Sequence, residues 1–375
     1  MGKHMVLVGG GHAHLTVLKN LEQFTGGGCR ATVISRSAYH YYSGMGPGML
    51  SGDYAPREIR FHVRKMTEDL GGRFIEDGVI RVAPGEQILY LKRGAPVPYD
   101  VVSFNTGSSV AFDTPAGPQV RSVFPAKPIE NLLAAREAVR RHLKRGHLNL
   151  CVAGGGPAGI ELSANLRSLV RKEGGRAEIV LVAGDRLLST RPERRLKACV
   201  ERELRRQEIT VIEGRRLAAL DEGRVVLSDG STLQTDLVLL ATGTRPSKFF
   251  RESGLATGDD GGLLVDETLR AVSHPTIFGG GDCIAFAPRP LAKIGVHAVR
   301  QNPILLHNLT AAVTGRQDYV KYKPQRTCLL ILNMGDGRGV FVRNGLVFAG
   351  KTAFRLKNHI DRGFMKKFQV SGEAG

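Results

Sequence analysis

The run Val152-Ala153-Gly154-Gly155-Gly156-Pro157-Ala158-Gly159-Ile160 reads as an apolar strand, a glycine turn and the start of a helix. Its glycines keep the spacing G-x-G-x-x-G, which clears side chains from backbone N–H groups at a helix N-terminus and so suits a pyrophosphate. The same pattern opens the chain. In Val6-Leu7-Val8-Gly9-Gly10-Gly11-His12-Ala13-His14, Gly9 and Gly11 are in place and His14 stands where the third glycine belongs. That third glycine serves helix–strand packing more than phosphate contact, so Gly9 and Gly11 still suit a phosphate. A lone glycine turn is more often a plain tight connection, but two copies in matching frames point to two dinucleotide units.

Outward from these turns, each block returns on a buried-type strand ending in Thr-Gly, at Thr106-Gly107 and Thr242-Gly243. In the first block the pattern predicts a helix over 15–24, a strand over 31–35, an aromatic, turn-rich loop over 39–48, and alternating strands over 73–82 and 87–92. The second repeats the plan with a helix over 159–172, a strand over 178–182, and a strand pair over 224–227 and 232–238 around Asp229-Gly230. Between the blocks 128–143 reads as helix. The expected fold is α/β: two Rossmann-like dinucleotide-binding domains, the second inserted in the first, plus a small C-terminal segment. The expected boundaries are 1–115 and 263–325 for the first domain, 116–262 for the second, and 326–375 for the C-terminal segment.

The 375 residues, 42% hydrophobic and 23% charged, can bury a large core, which excludes a disordered or fibrous chain. No apolar stretch approaches the ~18 residues of a membrane span. The strand at Met5 leaves no room for a secretion leader, and Cys29, Cys151, Cys199, Cys283 and Cys328 are scattered without zinc spacing, so a reducing cytoplasm is expected. Asn308-Leu309-Thr310 is then a chance sequon. A net charge of +18 favours a polyanion or an anionic membrane surface, while no nucleic-acid module is present to give specific binding.

Ile277-Phe278-Gly279-Gly280-Gly281-Asp282 resembles the FAD-closing Gly-Asp motif of two-dinucleotide-domain flavoproteins. The segments 42–48, 293–301 and 354–362 resemble the flavoprotein fused to selenide water dikinase in some organisms, a family similar to type II NADH dehydrogenases and sulfide:quinone oxidoreductases. The resemblance spans nearly the whole chain. It implies FAD on the first block, near Gly9, Gly11, His12, His14, Ser35, Arg36, Thr106, Gly107, Gly281 and Asp282. It implies NAD(P)H on the second, near Gly154, Gly156, Gly159, Asp185, Arg186, Thr242 and Gly243. Asp185 suits the ribose of NADH and Arg186 the 2′-phosphate of NADPH, and the choice stays open. His12 and His14 form an H-x-H pair without further clustered ligands, so they are expected beside FAD and no metal is expected.

Glu161 matches the family glutamate between nicotinamide and flavin, where a carboxyl group orients the ring or moves a proton; a helix-N-terminal acid favoured by the dipole explains it comparably. Lys293 and the helix near Val296 suit the negative charge of reduced flavin. His297 and Gln301, at i and i+4, align with the quinone-site glutamines of type II NADH dehydrogenases. The chain departs from the disulfide reductases in lacking a cysteine pair beside the flavin, and from sulfide:quinone oxidoreductases in offering only Cys328 near a loop. The 375 residues do not include that kinase domain, so selenophosphate synthesis is not expected of them. The expected activity is hydride transfer from NAD(P)H to FAD and on to a quinone-like acceptor. The alternatives are a sulfide or selenide:quinone oxidoreductase and a non-catalytic nucleotide- or nucleic-acid-binding protein. Leu356, Ile360, Phe364 and Phe368 recur along one face of a basic C-terminal helix, which suits peripheral attachment to the inner face of a membrane or, slightly better, packing over the flavin domain. A homodimer is left open.

Overall fold

The computed structural model describes residues 2–110, 122–191, 193–221 and 223–370. The chain opens with β1 (His4–Val8) and continues through β2 (Arg30–Ser35), β3 (Arg73–Glu76) and β4 (Val101–Phe104). It then builds a second sheet from β5 (Val123–Pro125), β6 (Leu148–Ala153), β7 (Ala177–Val182), β8 (Ile209–Ile212) and β9 (Leu237–Leu240). It returns to the first sheet as β10 (Ile277–Gly279). Both sheets are parallel throughout, ordered β10-β4-β1-β2-β3 and β5-β9-β6-β7-β8. They are copies of one plan, β1 matching β6 and β4 matching β9, giving two Rossmann-like cores. β1, β4 and β9 are buried at every position, as strands covered on both faces must be.

Before β4 and before β9 the chain inserts a three-stranded antiparallel sheet. A last antiparallel sheet, β11 (Leu330–Asn333), β12 (Gly339–Arg343) and β13 (Leu346–Gly350), carries the C-terminal helix on one side. Three helices place the site: α1 (Pro157–Lys172), which leaves the second glycine turn, α2 (Gly295–Thr314), and α3 (Lys351–Phe368) at the C-terminus. The domain boundary expected at 115/116 lies outside the described residues.

Four local expectations are corrected. The helix over 15–24 breaks at Asn20, whose side chain donates to the carbonyl of Thr16 at 2.7 Å and turns the backbone out of the helix. The loop over 39–48 is a strand, Tyr39–Tyr41, paired with Arg60–His62, followed by a helix Gly46–Ser51 with Pro47 in its first turn. Residues 73–82 belong to two sheets, because the Asp77 carboxylate accepts from the N–H groups of Gly78, Arg93 and Gly94 and holds a corner. Residues 232–238 split likewise at Asp236, which takes the N–H of Asn149 on its carboxylate.

Candidate active site

The two glycine turns match in detail. Gly9 lies at φ +90° against the carbonyl of Asn105, and Gly154 at φ +127° against that of Ala241; a Cβ at either would stand 2.3 Å from that oxygen. Only glycine fits both the torsion and the approach. At the third position the turns part. A Cβ at Gly159 would lie 1.7 Å from the Gly154 carbonyl, whereas His12–His14 form a 3₁₀ turn and His14 hydrogen-bonds the equivalent carbonyl, that of Gly9, through Nδ1 at 2.7 Å. Its Nε2 meets the Ser103 hydroxyl at 2.8 Å. His14 is therefore fully buried, with burial pushing it down to about 4 despite the Gly9 carbonyl. Both of its ring nitrogens are spent on the protein, so within the turn it is a packing and turn-fixing residue.

His12 faces the other way. Its Nδ1 lies 3.3 Å from His40 Nε2, its ring meets Tyr42 edge-on at 5.3 Å, and burial brings it to about 4. Its Nε2 is buried without a partner. Asn105 receives the Ala13 N–H at 3.0 Å and donates to the Gly280 carbonyl at 2.6 Å, tying the first turn to the Gly-Asp loop. In that loop Asp282 Oδ2 accepts from Ser108 at 3.0 Å and is paired with Lys127 at 2.5 Å. Gln301 Oε1 accepts the Gly281 N–H at 2.7 Å, while its Nε2 is buried and unpartnered. Thus Gln301 positions the loop that carries Asp282. At i−4 from it on α2, His297 meets the Tyr322 hydroxyl through Nδ1 at 2.8 Å. Lys293 is engaged by Asp260 at 2.7 Å and by the Ile284 carbonyl.

These features fit FAD on the first turn. Unpartnered donors on Gln301 and an unpartnered nitrogen on His12 flank a glycine cradle, and such buried polar atoms cost stability unless something completes them. A Cβ at Gly107 would meet nothing within 4 Å, nor would one at Gly156 or Gly243 in the second unit, so room lies beside both turns. Ser35 ends β2, and the Arg36 guanidinium lies against Gly78, 3.2 Å from where a Cβ there would stand. Of the two residues considered for the ribose of the second unit, Asp185 is exposed and paired with Arg216 at 2.8 Å. The residue beside the turn is Ala183, in contact range of Gly155. Arg186 lies near Glu213, whose carboxylate also takes the Leu187 N–H at 2.6 Å.

Glu161, two residues past Gly159 on α1, lies within electrostatic reach of Lys357 and Asp361 on the C-terminal helix. Asn333 N–H donates to its Oε1 at 2.8 Å. Burial raises its carboxyl to about 7 against the pull of Lys357 and of that N–H. On α3, Lys357 donates to Asp361 at 2.9 Å and to the Gly44 carbonyl at 2.8 Å, and the Tyr42 hydroxyl donates to the other Asp361 oxygen at 2.9 Å. Burial alone would lower the Lys357 ammonium, but Asp361 and Glu161 carry it above its ordinary value. Burial and Asp361 push the Tyr42 phenol well up, so it stays a donor. The apolar stripe on α3 is divided. Phe364 stacks on Tyr42 at 4.7 Å and Phe368 is buried, while Leu356 and Ile360 face solvent.

Asn105, Lys127, Tyr42, Lys357 and Asp361 were not singled out from sequence as site residues. Asn105 left a signal as an amide closing an apolar strand, and Lys357-x-x-x-Asp361 left one as an i, i+4 ion pair on an amphipathic helix. Lys127 left none. All five cysteines are free, and among the described residues no group of three His, Cys, Asp or Glu side chains could hold a metal ion.

Comparison with known proteins agrees with this geometry. The pyridine nucleotide-disulphide oxidoreductase family model matches residues 3–308. Human ferroptosis suppressor protein 1 is 24% identical over 376 residues, covering 96% of this chain and 93% of its own. The type II NADH:quinone oxidoreductase of Haemophilus influenzae is 27% identical over 164 residues, 41% of this chain and 37% of its own. Among solved structures, NDH2 from Plasmodium falciparum in complex with NADH superposes with a TM-score of 0.83 at 14% identity, covering 98% of this chain and 99% of that one. The sulfide:quinone oxidoreductase of Aquifex aeolicus superposes with a TM-score of 0.80 at 17% identity, covering 100% and 93%. The chain belongs to the pyridine nucleotide-disulphide oxidoreductase family and is an FAD-dependent NAD(P)H oxidoreductase.

Proposed function

We propose that the chain takes a hydride from NAD(P)H seated on the Gly154 turn and passes the electrons, through FAD on the Gly9 turn, to a quinone-like acceptor. FAD supplies the two-electron carrier between donor and acceptor. The observation that carries this reading is Glu161: two residues past Gly159 on the helix that leaves the second turn, its carboxyl is brought to about 7 by burial, where a group exchanges protons most readily near neutral pH. Asn333 N–H holds Oε1, so Oε2 is the atom that takes and returns the proton. Asp282 and Lys127 bind the ribityl side of the first unit, Gln301 keeps their loop in place, and His297 with Tyr322 offers the acceptor's oxygen a hydrogen-bonding partner.

Anaerobic stopped-flow mixing of the yellow protein with NADH, NADPH and sulfide in separate experiments tests the reading. Rapid bleaching by either nicotinamide, followed by reoxidation with a quinone, supports it. Bleaching by sulfide alone would transfer the chain to the sulfide:quinone reading, and a protein that neither nicotinamide bleaches is not this oxidoreductase.

A further inference from the structure

A groove of about 380 Å³ opens between the segment before α2, the 325–328 loop, the β12–β13 turn and the Arg191 segment of the second unit. That volume lies in the roughly 300–1,000 Å³ range of small-molecule sites. Its charge is one-sided. Arg191, Arg289, Arg326 and Arg343 line it against a single carboxylate, Glu193. Among the described residues none of these four guanidiniums has a carboxylate within ion-pair distance, although many of the chain's other arginines do. Arg289 is held in place by the Pro324 carbonyl at 2.9 Å, a contact that fixes it without cancelling its charge.

The groove leads inward. Leu291, Ala292 and His297 line both it and a narrow neck of about 10 Å³ that reaches Asp282 and the unpartnered amide of Gln301. A molecule in the groove thus has His297, held through Nδ1 by the Tyr322 hydroxyl, toward the flavin side and four guanidiniums toward its mouth. Guanidinium groups bind carboxylate, sulfonate and phosphate oxygens through paired, charge-assisted N–H donors, whereas an uncharged ring can only stack on them and leaves those donors unpaired.

We infer that the groove binds an anionic acceptor: a ring system reduced at the His297 end and bearing a carboxylate, sulfonate or phosphate that the four arginines hold at the mouth. This rests on the oxidoreductase reading above and names the class of its second substrate.

The test compares naphthoquinone with naphthoquinone sulfonate on the FAD-loaded protein, both in steady state with the better nicotinamide and by calorimetric titration of the oxidised protein. The sulfonate is expected to bind at least about tenfold tighter than the parent ring at low salt, one charge-assisted contact or more, and to lose that advantage as salt rises. Arg326→Gln with Arg343→Gln, both at exposed positions, should bring the ratio of the two affinities toward one, while flavin content reports that the fold is intact. Equal affinities in the parent protein overturn the inference even if nicotinamide bleaches the flavin. Sulfonate binding that inorganic phosphate displaces, with no faster reoxidation than the parent ring gives, also overturns it and marks a free-anion site. Failure of nicotinamide to bleach the flavin, with tight sulfonate binding retained, sinks the oxidoreductase reading and the acceptor role together while leaving an anion site. Arginine-dependent binding to phosphatidylglycerol vesicles without sulfonate preference assigns the groove to lipid headgroups and overturns it as well.

Discussion

Replacing Glu161 by glutamine isolates the one titration that the site places near neutrality. The carboxyl rises from an ordinary 4.5 to about 7, chiefly through burial. Because the folded value is the higher, the folded protein holds more protons than the unfolded chain across that window. Stability therefore falls as pH rises from 4.5 to about 7 and is level beyond it. The shift corresponds to about 3 kcal/mol, and water entering the cleft around this partly buried group lowers it to about 2 kcal/mol. Glu161→Gln removes the titration while its amide oxygen still accepts the Asn333 N–H. Between about pH 5 and about pH 8 the variant's stability relative to the parent should therefore improve by about 2 kcal/mol, read by urea unfolding of the flavin-loaded proteins. Acceptor reduction in the parent should slow as pH climbs through about 7, because only the carboxyl form gives a proton, and that inflection should vanish in the variant. A variant that keeps both the inflection and the parent's stability profile refutes the reasoning; one that loses flavin in step with activity makes Glu161 structural.

Further substitutions probe the surroundings. Asp282→Ala leaves Lys127 without its carboxylate and should weaken FAD retention by about tenfold or more, measured by flavin release on dialysis; unchanged retention would remove the Gly-Asp loop from the site. Asp361→Ala strands a buried ammonium and should cost about 3–5 kcal/mol, against about 1 kcal/mol for Tyr42→Phe, in thermal or urea unfolding. Phe364→Ala should lower both melting temperature and flavin content, since its ring lies on Tyr42. Paired Leu356→Gln and Ile360→Gln should spare both but reduce co-sedimentation with anionic vesicles; sedimentation that does not change would end the case for a membrane-facing helix.

The duplicated strand–glycine–helix units were legible because sheet topology is written in local signals: a glycine that must take positive φ, and runs buried on both faces. Local signals also misled where a side chain intervened. Asn20 ends a helix by bonding its own Thr16 carbonyl, and Asp77 turns one apparent strand into two; neither act shows in a hydrophobic period. His14 is the sharper case. Its place in the motif singled it out, but nothing in the motif showed that its ring bonds Gly9 and Ser103, a choice set by the 3₁₀ turn rather than by residue type. Glu161 could be named from its place after Gly159, whereas its carboxyl is raised by burial in the finished fold, and the Lys357 that pulls against the rise lies nearly two hundred residues later in the chain.

That distance has a physical consequence. Tyr42 comes from the first unit, Glu161 from the second, and Lys357 and Asp361 from the C-terminal helix. Buried charges persist only when paired, so each segment needs the other two in place before its own polar group can leave water. The Lys357 ammonium draws the Glu161 carboxyl down while burial draws it up, and that carboxyl, with Asp361, lifts the ammonium in turn. Removing the charge of Lys357 should therefore raise the Glu161 carboxyl further, so the C-terminal helix acts on the residue that follows the second glycine turn through charge rather than through contact with any bound molecule.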